Sequence, residues 1–247
     1  MNEYTVEGSG DPLVLLHGGL SDSSAWGMQV PAFSEKYRTF AFDRRGHGRT
    51  PDTDGPFDYD EMASETVTFL EEVVGGPAHL VGWSDGGIVS LLTSLLRPDL
   101  VRRQVLIGTN FHYDGTHPDF DTGDDPEAEG VAMLKAIYES VAVDPAHWPV
   151  FYGKAVHLFR VAPELTIEDL KGVAVPTLVL AGDDDCIIHA HTIDLFENIP
   201  DAQLAIVPGT SHLLLLEKPA LVNQLILDFL AETAPPGTML PMRRSHA

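Results

Sequence analysis

Short, β-rich apolar runs recur along the chain: Leu13-Val14-Leu15-Leu16, Thr39-Phe40-Ala41-Phe42, His79-Leu80-Val81, Gln104-Val105-Leu106-Ile107, Thr177-Leu178-Val179-Leu180 and Gln203-Leu204-Ala205-Ile206-Val207. Neighbouring positions within a run are both apolar instead of alternating with polar ones. Strands of this kind are buried on both faces, as in a parallel sheet with helices on either side. Between the runs lie helix-like stretches at Tyr59 to Val74, Gly87 to Leu96 and Pro219 to Glu232. In the last of these, Leu221, Leu225 and Phe229 recur every four residues and form one apolar stripe. Strand and helix in alternation predict an α/β fold: a mostly parallel central sheet, right-handed crossovers, and helices on both faces.

The alternation breaks once, between Phe111 and Lys171, where no comparable strand-like run occurs. This stretch begins with an acidic run lacking Lys and Arg up to Gly130, which reads as a solvated face. Helical patterns follow around Val131 to Val141 and Ala146 to Val161. Thr166 with Asp169 marks a helix N-cap before the chain returns to a strand. The expected organisation is a core of residues 1–110 and 172–233, a helical insertion of 111–171 over the sheet, and a mobile tail at 234–247 carrying Pro235-Pro236-Gly237.

Composition narrows the partners. The 247 residues include 37 acids against 15 bases, a formal net charge of −22. Nucleic acid or an anionic lipid surface would meet long-range repulsion, so neither is expected as a partner. No run approaches the ~18 apolar residues of a membrane span, and Met1-Asn2-Glu3 lacks the basic start of a secretion signal. Cys186 is the single cysteine, which excludes an internal disulfide and fits a cytoplasmic protein.

Two short motifs bring in chemistry. Gly82-Trp83-Ser84-Asp85-Gly86-Gly87 follows a strand and precedes a helix, the setting of a G-x-S-x-G nucleophile elbow. Such a turn holds its serine in a strained conformation that exposes Oγ, and glycines admit the close backbone approach. Upstream, His17-Gly18-Gly19-Leu20 closes an earlier strand. The backbone N–H groups of Gly19 and Asp85 are the candidate oxyanion donors, while the His17 ring is read as a brace for this loop.

With these residues in view, the chain resembles the α/β-hydrolases, in their capped, esterase-like form. Asp43-Arg44-Arg45-Gly46-His47-Gly48-Arg49-Thr50 is similar to that family's D-x-R-G-x-G-x-S turn, which is read here as structural. Gly182-Asp183-Asp184-Asp185 and Gly209-Thr210-Ser211-His212 supply the later marks. The elbow is similar to that of amino-acid-ester hydrolases of the valacyclovirase type. The resemblance implies a Ser–Asp–His order of Ser84, Asp185 and His212. It also implies an N-terminal antiparallel hairpin for which only Asn2 to Glu7 is available, so an edge strand or two is expected to be absent.

Each role has a chemical reason. Ser84 needs a base to become a nucleophile, and imidazole titrates near neutrality, so His212 is the candidate base. The acid that orients it falls on Asp185 by the family's G-x-x-D spacing, with Asp183 the alternative. Cys186 reads as an inert buried thiol. His189 and His191 sit two residues apart and would point to different sides of a helix, which argues against a metal site. No metal or cofactor is expected.

The function expected from these residues is hydrolysis of a small-molecule ester or related acyl bond through an acyl-enzyme on Ser84. Lactonase, C–C bond hydrolase and cofactor-free perhydrolase chemistry use the same triad, and a non-catalytic ligand-binding protein of the same fold is the alternative from another class. Trp148, with Phe111, Phe151, Tyr152 and Phe159, is a candidate for an aromatic substrate wall or for the insertion's own core. The Asp85 carboxylate is a candidate partner for a substrate ammonium; alternatively, it complements the dipole of the helix it begins.

Overall fold

The computed structural model describes residues 2–120, 123–233 and 238–240. Its strands are β1 (Tyr4–Glu7), β2 (Asp11–Leu16), β3 (Tyr37–Phe42), β4 (Ala78–Trp83), β5 (Val101–Ile107), β6 (Thr177–Asp184) and β7 (Ala202–Ser211). They form one sheet in the order β1-β3-β2-β4-β5-β6-β7, parallel throughout except for β1, which runs antiparallel to β3. In place of the antiparallel hairpin that the resemblance implies, Asn2 to Glu7 supplies a single antiparallel edge strand, β1. Its four residues are exposed and gave no apolar run to read; pairing of Tyr4 with Phe42 and Val6 with Phe40 makes it a strand.

The apolar runs are continuous because alternate residues enter different cores. Leu13 and Leu15 face one layer, with Trp26, Phe33, Val222, Ile226 and Phe229. Val14 and Leu16 face the other, with Met62, Ile88, Val89 and Leu195. The first layer holds α1 (Val30–Phe33), α8 (Leu214–Glu217) and α9 (Pro219–Leu230). The second holds α2 (Tyr59–Phe69), α3 (Asp85–Leu96) and α7 (His189–Asn198). A wide helical turn, Leu70–Val74, extends α2 to Gly75, whose φ of 87° ends it.

Residues 111–171 contain α4 (Ala132–Val141), α5 (Trp148–Val161) and α6 (Ile167–Lys171), the last opened by a reciprocal Thr166–Asp169 capping box. The underside of α5 joins the second core through Trp148, Phe151, Tyr152 and Val156. Asp52, on the loop after β3, accepts hydrogen bonds from Lys154 (2.6 Å) and bonds His147 (2.9 Å), which ties this segment to the sheet's loops. The described acids of the acidic run are all exposed, and Asp121 falls outside the described residues. So does the proposed mobile tail, 234–247, apart from the exposed residues 238–240. No helix among the described residues is long and apolar enough to cross a membrane.

Several histidines are locked into this frame uncharged. Burial and the Arg44 guanidinium lower the pKa of His47 to about 3. Burial, with smaller charge effects, lowers His79 and His191 to about 4. His191 Nε2 accepts the Phe111 (2.9 Å) and His112 (3.3 Å) backbone N–H groups, so protonation would abolish both bonds. An unfolded histidine takes its proton near pH 6.5. Between that value and the native ones, the unfolded chain holds more protons, and stability falls as pH falls. Fully buried His47 alone should cost about 1.4 kcal/mol for each pH unit in this window. Thermal melting should therefore drop steeply from pH 6.5 to 4.5, above the main carboxylate range. A flat melting temperature across that window would contradict the neutral histidines.

Candidate active site

β4 ends at Trp83 and α3 begins at Asp85, leaving Ser84 alone to turn the chain. It does so at φ 54°, ψ −121°, a conformation that costs a non-glycine residue about 1–3 kcal/mol. The strain is imposed by a close approach. A Cβ on Gly86 would lie 1.9 Å from the Leu16 carbonyl oxygen, and one on Gly82 would lie 2.2 Å from the Gly86 carbonyl oxygen. The turn is held from below: Ser84 N–H donates to the Ile107 carbonyl (2.8 Å), and the Ser84 carbonyl accepts from Gly87 N–H (2.8 Å). Ser84 is partly exposed and lines a cavity between the sheet's loops and residues 111–171.

His212 follows β7 and lines the same cavity. Of the three adjacent aspartates at the end of β6, Asp185 is the one that reaches it: Oδ1 accepts from His212 Nδ1 at 2.7 Å and from Ile187 N–H at 3.0 Å. Asp183 turns the other way and accepts Thr210 N–H at 3.0 Å, and Asp184 is exposed. Burial works against charge on both members of the Asp185–His212 pair, but their mutual attraction prevails. The Asp185 carboxyl is held below its ordinary value. His212, with further support from Cys186, is raised to about 10. The Trp83 indole N–H donates to the His212 carbonyl (2.9 Å), anchoring this loop to the elbow.

The loop after β2 is braced by Arg44, which is fully buried. Its guanidinium donates to the carbonyls of His17 (2.7 Å) and Gly18 (3.0 Å), and its backbone N–H donates to His17 Nε2 (3.2 Å). His17 thus braces the loop. Gly19 and Asp85 line the cavity together, and a Cβ on Gly19 would lie 2.6 Å from Asp85 Oδ2. The Asp85 carboxylate is buried and already partnered: it bonds the Tyr59 hydroxyl and faces the Arg44 charge. Burial pushes its pKa up, and Arg44 and Tyr59 oppose that rise.

The cavity encloses about 690 Å³. Leu134, Val156, Phe159, Ile187 and Leu213 give it apolar walls, with Asn110 and Arg160 among its polar residues. Trp148 does not line it. Its ring is fully buried against Tyr138, Phe151 and Tyr152, and its N–H is taken by the Pro126 carbonyl (2.8 Å). Among the aromatic candidates, Phe159 is the one in the wall. Cys186 is half-buried and lines the cavity beside His212, so it is not the buried thiol expected from the sequence. Sequence reasoning also passed over Gly108, whose φ is +54°; a Cβ there would lie 2.9 Å from His212 Nδ1. Tyr59 was read only as the start of a helix. The signal for Gly108 was a glycine closing an apolar run; for Tyr59 there was none. His189 and His191 have separate partners, the Gly182 carbonyl and the Phe111–His112 backbone. Among the described residues, the donors that do gather are those of Asp185, Cys186 and His212.

Comparison with known proteins agrees with this architecture. The model of the alpha/beta hydrolase family matches residues 13–225. A protein of Agrobacterium fabrum named as a carbamate hydrolase, RutD, is 30% identical, covering 92% of this chain and 97% of its own. The (E)-2-((N-methylformamido)methylene)succinate hydrolase of Acinetobacter baylyi is 26% identical, covering 94% of each chain. Among solved structures, the enol-lactonase of Burkholderia xenovorans superimposes with a TM-score of 0.77 at 21% identity, over 94% of this chain and 96% of that one. The match over most of the chain, together with the mostly parallel sheet, establishes that this protein belongs to the alpha/beta hydrolase family.

Proposed function

We propose that the protein is a serine hydrolase that cleaves an ester or related acyl bond of a small molecule through an acyl-enzyme on Ser84. The observation that carries this reading is the 2.7 Å Asp185–His212 bond beside a cavity that Ser84 also lines. His212 Nε2 takes the Ser84 proton as Oγ attacks the acyl carbon, then returns it to the leaving group. Asp185 holds Nδ1–H, which fixes the tautomer and stabilises the imidazolium. The Gly19 and Asp85 N–H groups receive the oxyanion, a contribution of roughly 10²–10³ in rate per donor. Water then releases the acyl group by the same steps. Residues 111–171 act as a helical cap that supplies the apolar wall, suited to an aliphatic or aromatic acyl group. The names of the relatives, which span carbamate, lactone and amide-like substrates, support an acyl-transfer site.

Ser84→Ala should keep the fold and lower hydrolysis of p-nitrophenyl esters by on the order of 10³–10⁶-fold. A fluorophosphonate should label the unaltered chain stoichiometrically at Ser84 and leave this variant unlabelled. Wild-type turnover in Ser84→Ala, or no labelling, sinks the proposal. A panel of esters, lactones, carbamates and amino-acid esters then ranks substrate classes.

His212 must be neutral to accept a proton, and Asp185 and Cys186 raise its pKa. The rising limb of kcat/KM against pH should therefore lie above the ordinary imidazole range, giving an alkaline optimum. A limb at pH 6.5 or below, measured on a neutral ester, would show that His212 is not the group being titrated.

For Asp85, its buried partners Tyr59 and Arg44 favour a bracing role behind the oxyanion donors over a contact with substrate ammonium. Asp85→Asn should then lower kcat/KM for α-amino esters and neutral esters by similar factors. Loss confined to α-amino esters would make the carboxylate the ammonium's partner, as in the amino-acid-ester hydrolases that the elbow resembles.

A further inference from the structure

Cys186 takes no part in the acyl transfer proposed above, yet it borders the cavity beside His212. Donor atoms of Asp185, Cys186 and His212 all lie within 4.8 Å of one another. Carboxylate, thiolate and imidazole are the ligand types that hold Zn²⁺, with bonds of about 2.3 Å to sulfur and 2.0–2.2 Å to nitrogen and oxygen. A tetrahedron with those bonds has edges of about 3.3–3.7 Å, so the donors need shift by only about 1 Å. A second observation concerns Asp185 itself. Its side chain is fully buried, and Oδ2 has no hydrogen-bond partner, an unusual state for a carboxylate oxygen. Gly108 puts no side chain against it: a Cβ there would lie 3.1 Å from Oδ2 and 2.9 Å from His212 Nδ1.

We propose that Asp185, Cys186 and His212 form a site for a thiophilic divalent cation of the zinc class, and that the bound cation shuts off hydrolysis. The inhibition rests on the triad reading; the binding does not. On binding, the Cys186 thiol and the His212 imidazolium each lose a proton to solvent, so the ion is held by a thiolate and by one ring lone pair. If Nδ1 binds, Nε2 keeps its own proton; if Nε2 binds, its lone pair is engaged directly. In both cases His212 has no lone pair left at Nε2 for the Ser84 proton. The cavity side of the ion is open to water, which completes its coordination.

Cobalt(II) reports a thiolate ligand directly, through a sulfur-to-metal charge-transfer band in the near ultraviolet. The full chain should show this band on adding Co²⁺ and lose it on adding Zn²⁺; Cys186→Ser and Cys186→Ala should show no band. Zn²⁺ should lower p-nitrophenyl ester hydrolysis by about tenfold or more in the unaltered chain, reversibly with EDTA, and by less than about twofold relative to its own metal-free rate in Cys186→Ser. Absence of the band, or equal zinc inhibition with and without the thiol, overturns the proposal. A band without inhibition keeps the cation site and instead overturns the part assigned to His212 in hydrolysis.

Discussion

The turn from β4 into α3 is the constraint on which the site depends. The backbone of Gly86 lies so close to the Leu16 and His17 carbonyls that no Cβ fits there, and the only way round the corner places Ser84 at positive φ. That approach joins the elbow to the end of β2, where Gly18 and Gly19 lie. Ser84 N–H is fixed in turn to Ile107 at the end of β5. Adjacent parallel strands ending together thus bring the serine, the glycine loop and the β6 and β7 loops to one edge of the sheet, as expected of ligand sites in open α/β sheets.

Charge is arranged differently inside the molecule and outside it. The surface carries most of the net −22, including the exposed acids ahead of α4. Inside, Arg44 is buried behind the cavity and brings a positive charge to the His17–Gly18 carbonyls and to Asp85. Without Arg44, the buried Asp85 carboxylate would stand unbalanced next to Gly19, where negative charge is to be stabilised in the proposed reaction. Tyr59 shares the task by donating to Asp85. Truncating one member of such a buried set typically costs more than the set contributes as a whole, because the remaining charge is left exposed to a low dielectric.

Residues 111–171 serve two ends with one helix. On α5, Trp148, Phe151 and Tyr152 turn into the aromatic core with Tyr138, while Val156 and Phe159, one to two turns further on, reach the cavity. An aromatic residue's type does not tell which of these it joins. Its place along the helix does, because α5 runs from the anchoring Asp52–His147–Lys154 contacts toward the elbow.

The periodicity of the chain determined the α/β class: strands buried on both faces have no polar alternate positions, and Leu13 to Leu16 show that directly. Motif spacing likewise identified the elbow and Ser84 as a candidate, because a turn this tight tolerates only glycine at Gly82 and Gly86; the resemblance to the alpha/beta hydrolases added Asp185 and His212. Other features depended on the three-dimensional arrangement. β1 became a strand only by pairing with β3. Trp148 was enclosed by neighbours from 126 to 152, and Cys186 was turned toward His212 by the β6 loop. Gly108, Tyr59 and Arg44 reached the site from segments far apart in sequence. Local spacing specifies what a segment's own backbone demands; which side chain faces a cavity depends on how distant segments close around it, and that is decided only when the layers pack.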